Sequence, residues 1–269
     1  MFDLIRGMND QATDVVITAF KERLETSGNR IDLTDLFNAQ GHTALTYAAQ
    51  QGKTSAIQAM FDFVKQKSEK IASEVSLSHS GSEKEFIDKQ IKKTLKRSFK
   101  NTLVQWINLR DRTDIRASAL HLAAFQGDIV NMKLLVEHGA DFTVTTASGV
   151  NALHMAAQGN SALGVNVLLN DFKGYDLNKP DNSGATPLIW AAFCGSEISL
   201  AFLLAQPGID VNARNKKGET AMHLAIQSPS TQRPTQLIKR LMLKGADLSI
   251  RDNKGRTPTE LCIKRIAKT

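Results

Sequence analysis

The chain has 269 residues and a formal net charge of +7, and it is 42% hydrophobic, 23% charged and 6% aromatic. That is the composition of a soluble globular protein. Its two cysteines, Cys194 and Cys262, are too few for a disulfide framework and stand in no metal spacing, which points to a reducing, cytoplasmic setting.

The amino terminus MFDLIRG places Asp3 and Arg6 early, so it does not read as a signal peptide. Phe2, Leu4 and Ile5, then Val15, Val16, Ala19, Phe20 and Leu24, follow helical spacing. Residues 1–37 therefore predict a helix pair acting as a capping repeat, with its loop over Asn29 to Asn38. A repeat over 38–64 follows, opened by Gly41 in GHTALTYAAQQG. Its second helix overruns. Ile57, Phe61, Val64, Ser68, Ile71 and Val75 continue one apolar seam for about five turns. The polar run SLSHSGSE predicts a turn. A second long helix is then expected over about 83–108, with a stripe of Ile87, Ile91, Leu95, Phe99, Leu103 and Trp106. Residues 65–106 read as an inserted helical hairpin, packed seam to seam.

The hairpin's second helix is basic. Lys84, Lys89, Lys92, Lys93, Lys96, Arg97 and Lys100 face only Glu85 and Asp88, a net +5 of the chain's +7. Residues 84–100 could meet an acidic partner or an anionic membrane surface, or simply be a solvated helix face. No aromatic platform interleaves with the charges, so nucleic acid is not an expected partner.

From 107 to 269 the pattern is regular. ASALHLAAFQG follows Arg116, GVNALHMAAQGN opens at Gly149, GATPLIWAAFCG at Gly184, GETAMHLAIQS at Gly218 and GRTPTELC at Gly255. The steps between these openings are 33, 35, 34 and 37 residues. Each copy supplies a glycine turn, a short alanine-rich helix and a second apolar helix ending near HGAD, KGYD, PGID or KGAD. Pro229 and Pro234 lengthen the fifth copy, and the last copy stops after its first helix. Residues 186–205 are apolar, but Gly195, Ser196 and Glu197 divide them into two short helices, so no transmembrane span is expected.

A period near 33 with a T-P-L-H-x-A core resembles the ankyrin repeat. The resemblance implies an all-α ankyrin-repeat solenoid of stacked helix-turn-helix units with β-hairpin-like finger loops, here carrying the inserted helical hairpin. It also implies that His121, His154 and His223, at the fourth place of the core, bond the neighbouring finger's backbone rather than a metal. No nucleophile, phosphate-loop or zinc motif appears, so no catalytic residue, cofactor or metal is expected.

What the resemblance leaves is protein recognition on a concave face of finger tips and inner-helix ends. By register that face holds Phe125, Gln126, Gln158, Asn160, Trp190, Phe193 and Gln227, with Asn182, Ser183, Lys216 and Lys217 on fingers. Trp190 reads either as filler between repeats or as a peptide anchor, since tryptophan buries much area at low entropic cost. The run ALHMAAQGN, TPLIWAAF, ETAMHLAI is also similar to the ankyrin domain of DHHC-type palmitoyltransferases. That likeness implies capture of an extended peptide by Asn160 and Trp190, at the cytosolic face of a membrane. A structural subunit docking through the hairpin is the remaining reading.

Overall fold

The computed structural model describes residues 40–77, 84–172, 174–228 and 234–267. The expected capping repeat over 1–37, the centre of the hairpin turn and the loop at Pro229 lie outside the described residues. Among those described, twelve helices and no β-strand are found. The fingers are tight turns rather than strand pairs. The chain forms two compact units, one of residues 1–120 with 130–141 and one of residues 121–129 with 142–269.

In the first unit Thr43 caps α1 (Ala44–Gln50), its hydroxyl accepting from the Thr46 N–H at 3.0 Å. The next helix, α2 (Thr54–Leu77), starts as the repeat's second helix and runs on unbroken for 24 residues, about 36 Å. It packs on α1 and on α3 (Lys84–Ile107), the returning arm of the hairpin.

The base of the hairpin is part of the repeat's own core. Trp106, read from the sequence as insertion, is only 1% exposed, as is Ile107. Phe61 of α2 meets the Trp106 ring edge-on at 5.9 Å and stacks on His138 at 4.1 Å. Beyond α3, Asn108 donates to the Gly139 carbonyl and accepts from the Asp141 N–H at 2.7 Å. Farther out, Lys65, Glu69 and Lys70 on α2 and Lys89, Lys93, Arg97 and Lys100 on α3 are exposed. Most of α5 (Ile129–Glu137) also belongs to this unit.

The second unit takes most of α4 (Ala119–Gln126), then α6 (Ala152–Gln158), α7 (Ala162–Asn170), α8 (Pro187–Cys194), α9 (Glu197–Ala205), α10 (Ala221–Gln227), α11 (Pro234–Leu243) and α12 (Pro258–Ile266). The inner helices stack in the order α6, α8, α10, α12, and the outer ones in the order α7, α9, α11. Each outer helix also packs on its own inner helix. Close stacking needs small side chains, and Ala156, Ala157, Ala191, Ala192 and Ala225 are fully buried at these contacts. Gly159 makes the approach possible at the end of α6. A Cβ there would lie 1.8 Å from the Phe125 carbonyl oxygen.

The hairpin's outer part and its base should therefore behave differently. Replacing residues 67–103 by a short Gly/Ser linker should leave cooperative unfolding intact. Trp106→Ala should cost about 3–5 kcal/mol through the cavity it leaves. Urea denaturation followed by circular dichroism checks both, and a linker variant that loses helical signal beyond the deleted residues would contradict the assignment.

Candidate protein-interaction site

The site lies on the finger side of the second unit. Each finger opens with a residue whose side chain collects the turn's own amides. Asp181 Oδ1 accepts from the Ser183 and Ala185 N–H groups at 2.8 and 2.9 Å. Asn215 Oδ1 accepts from Lys217 and Glu219, and Asp252 Oδ1 from Lys254 and Arg256. Gly184 closes its turn at φ +80°, and a Cβ there would meet the Lys216 nitrogen at 2.9 Å.

The histidines of the core join inner helices to these fingers. Nε2–H of His121 donates to the Val150 carbonyl, that of His154 to Ala185 and that of His223 to Arg256, each at 3.1 Å. In α8 the same place holds Ile189, which cannot make that bond. The following residue provides a different tie, because the Trp190 indole N–H donates to Asp181 Oδ2 at 2.9 Å. Burial would raise the Asp181 carboxyl. The bonds from the Ser183 hydroxyl, the Trp190 indole and two backbone amides outweigh it and hold the group below the usual carboxylate range.

Trp190 is half-buried and lines an open groove of about 190 Å³. Ile189, Phe193 and Leu224 share its apolar side, and Ser183, Asn215, Lys217 and Glu219 form the finger wall. Phe193 is 46% exposed. Of the residues expected from the sequence, the structure thus brings Trp190, Phe193, Ser183 and Lys217 together, with Asn182 and Lys216 exposed on the adjoining finger tips. Gln158, Gln126, Phe125 and Gln227 do not line the groove. Ile189, Leu224, Asn215 and Glu219 were missed. The register could have found Leu224, which stands one repeat after Trp190 in the same slot.

Asn160 has a structural task. It occupies the left-handed position, φ +56°, that Gly195 fills one repeat later, a conformation asparagine tolerates. Its Oδ1 accepts from the Ile198 and Ser199 N–H groups at 2.9 and 3.1 Å. The preceding repeat thereby caps α9, whose own Ser196 makes no side-chain cap. Ser196 instead donates to the Gln158 carbonyl at 2.9 Å. Cys194 is half-buried, and burial pushes its thiol up, which makes it a poor nucleophile. Among the described residues no group of three or more His, Cys, Asp or Glu could hold a metal ion. No helix among them is long and apolar enough to cross a membrane.

A family model of three ankyrin repeats matches residues 95–181, 120–215 and 155–252, more than half of the chain. The chain belongs to the ankyrin-repeat family, and its repeats form a protein-interaction module. It is 34% identical over 137 residues to Palmitoyltransferase AKR1 of Lachancea kluyveri, a match covering 50% of this chain and 18% of that protein. Over 152 residues it is 28% identical to Palmitoyltransferase ZDHHC13 of Mus musculus, covering 56% and 23%. Over 161 residues it is 29% identical to the Nuclear factor NF-kappa-B p105 subunit of Gallus gallus, covering 59% and 16%. The chain spans less than a quarter of the length of each.

The buried histidine predicts a pH response. Burial lowers the His154 pKa from 6.5 to about 4, against smaller upward pulls from the Ala185 carbonyl and the Asp181 carboxylate. Unfolded His154 takes up a proton below about pH 6.5, while the folded group stays neutral down to about pH 4. Its contribution to stability is complete above pH 6.5 and falls by about 3 kcal/mol as the pH drops to 4. His154→Gln should remove that slope relative to wild type in urea titrations at pH 7, 5.5 and 4. Parallel curves for the two proteins would show that His154 is not held neutral.

Proposed function

We propose that the chain is a non-catalytic recognition module that binds an extended segment of a partner protein along the finger-side face of its second unit. The observation that carries this reading is the open groove beside Trp190. A half-exposed tryptophan held in one orientation by Asp181 is a pre-organised apolar surface, and such anchors supply much of the energy of a protein contact. Asn160 contributes less than the sequence suggests. Its Oδ1 is engaged with α9, which leaves the amide Nδ2 to donate to a passing backbone carbonyl. The setting we propose is cytoplasmic.

A second reading makes this array the substrate-recruiting part of a DHHC-type palmitoyltransferase. It is supported by the likeness to two palmitoyltransferases across the repeats. Continuation of the reading frame into membrane spans and a DHHC segment would establish it, and a stop codon directly after Thr269 would remove it.

The recognition reading is tested on Trp190. With a partner recovered by affinity purification of the full chain, Trp190→Ala should weaken binding about thirtyfold, or about 2 kcal/mol. Trp190→Phe keeps a ring but loses the bond to Asp181, and should fall between. Asn160→Ala should cost about 1–2 kcal/mol of stability by uncapping α9, with a smaller loss of affinity. Melting curves on the same samples separate the effects. A large fall in melting temperature with unchanged affinity of the folded fraction would make Trp190 a packing residue only.

A further inference from the structure

The groove's rim carries charge on one side only. The finger tips before it are uncharged, Ala147-Ser148 and Asn182-Ser183, while the next two bear Lys216-Lys217 and Asn253-Lys254. These tips are held in register by backbone bonds, Lys216 N–H to the Ser183 carbonyl at 2.8 Å and Asn253 N–H to the Lys217 carbonyl at 2.9 Å. Lys216, Lys217 and Lys254 are all exposed and enter no ion pair among the described residues.

The neighbouring charges on these fingers are already engaged. Arg214 donates to the Gly218 and Arg251 carbonyls, Arg251 pairs with Glu260 at 3.3 Å, and Arg256 pairs with Asp252. The acids of the finger turns, Asp181, Glu219 and Asp252, are buried. Asp181 is buried beneath the Trp190 indole and the Ser183 hydroxyl. Glu219, the acid of the groove lining, is 9% exposed and accepts from Asn215 Nδ2 at 3.1 Å. The charge left facing solvent at these two lysine-bearing tips is therefore positive, and it adjoins an apolar surface.

We infer that the partner segment is acidic as well as apolar: one large aliphatic or aromatic side chain seats against Trp190 and Phe193, and aspartate or glutamate residues beside it face Lys216, Lys217 and Lys254. This inference rests on the recognition reading above. A volume of about 190 Å³ suits a side chain rather than a drug-sized ligand, which takes about 300–1,000 Å³. Burying that side chain gives affinity, and the lysines select the flanking charge and fix which way the segment runs. Because the uncharged tips precede the charged ones, the acidic residues lie on the side of α10 and α12.

The test uses the full chain and three fluorescein-labelled decapeptides with the same central Ile-Leu pair, flanked by Asp/Glu, by Ser/Asn or by Lys/Arg. Fluorescence anisotropy at about 20 mM salt should rank them acidic, neutral, basic, with about a tenfold gap between acidic and basic that narrows at about 150 mM. K216E/K217E should abolish or invert the ranking, and both positions are exposed, so the fold should tolerate the change. Trp190→Ala and Trp190→Phe should weaken the acidic and neutral peptides alike. Equal binding of all three peptides that still depends on Trp190 would overturn the charge inference and leave the groove standing. Acidic-peptide binding that ignores both Trp190 variants would overturn the groove reading as well, and so would no binding of any peptide.

Discussion

Each finger turn is closed by the side chain at its first position, and the register of the second unit depends on that closure. A repeat this short cannot bury its apolar face alone, so its stability comes from the neighbour it stacks on. Stacking fixes distance but not register, because alanine surfaces slide over one another. Directional bonds supply the register. Asp181, Asn215 and Asp252 fold the fingers into identical turns. The turns then bond in sequence through the Asn182, Lys216 and Asn253 amides. A second ladder runs just before the finger turns, where Asn178 and Asn212 each donate to the next loop's glycine carbonyl and accept from the aspartate N–H two residues beyond it. One such bond is worth about 1 kcal/mol net. Their directionality counts for more, since a shift by one residue would break several together.

The candidate site arises where this scheme is locally altered. Ile189 stands where α4, α6 and α10 have His121, His154 and His223, so one histidine-to-finger bond is missing. The Trp190 indole replaces it with a bond to the finger of its own repeat. Ile189, itself buried, lines the floor of the groove beside Trp190. The site thus combines a half-buried tryptophan fixed by Asp181 with the exposed ring of Phe193.

The fold was largely legible in the sequence because it is periodic. The glycine openings, the histidine slots and the T-P-L-H-like cores fix helix order whatever the fine geometry. Even Arg116 in a glycine's place proves to have the left-handed φ, +53°, that the slot requires. The hairpin was legible as two apolar seams, but its junction was not. Phe61 and Trp106 lie 45 positions apart in sequence and meet at 5.9 Å only because α2 continues unbroken out of the repeat. The capping role of Asn160 was not legible for a related reason. Its partners, the Ile198 and Ser199 amides, lie one repeat away, so its capping role leaves no local signature.

The site's chemistry was less legible than its position, because it depends on which charges are already engaged. By count the finger turns at 181–185, 214–219 and 251–256 look mixed, with acids and bases side by side. The structure sorts them. Asp181 and Asp252 turn inward to close their turns, Glu219 accepts from the Asn215 amide, Arg214, Arg251 and Arg256 are held by carbonyls or acids, and the lysines remain outside. Arginine's planar fork suits the fixed bonds of a finger, whereas lysine's flexible stem leaves its charge in water. The residue types that make the ladder rigid are therefore also those withdrawn from recognition. What a partner meets is the remainder: an indole, a phenyl ring and three free ammonium groups.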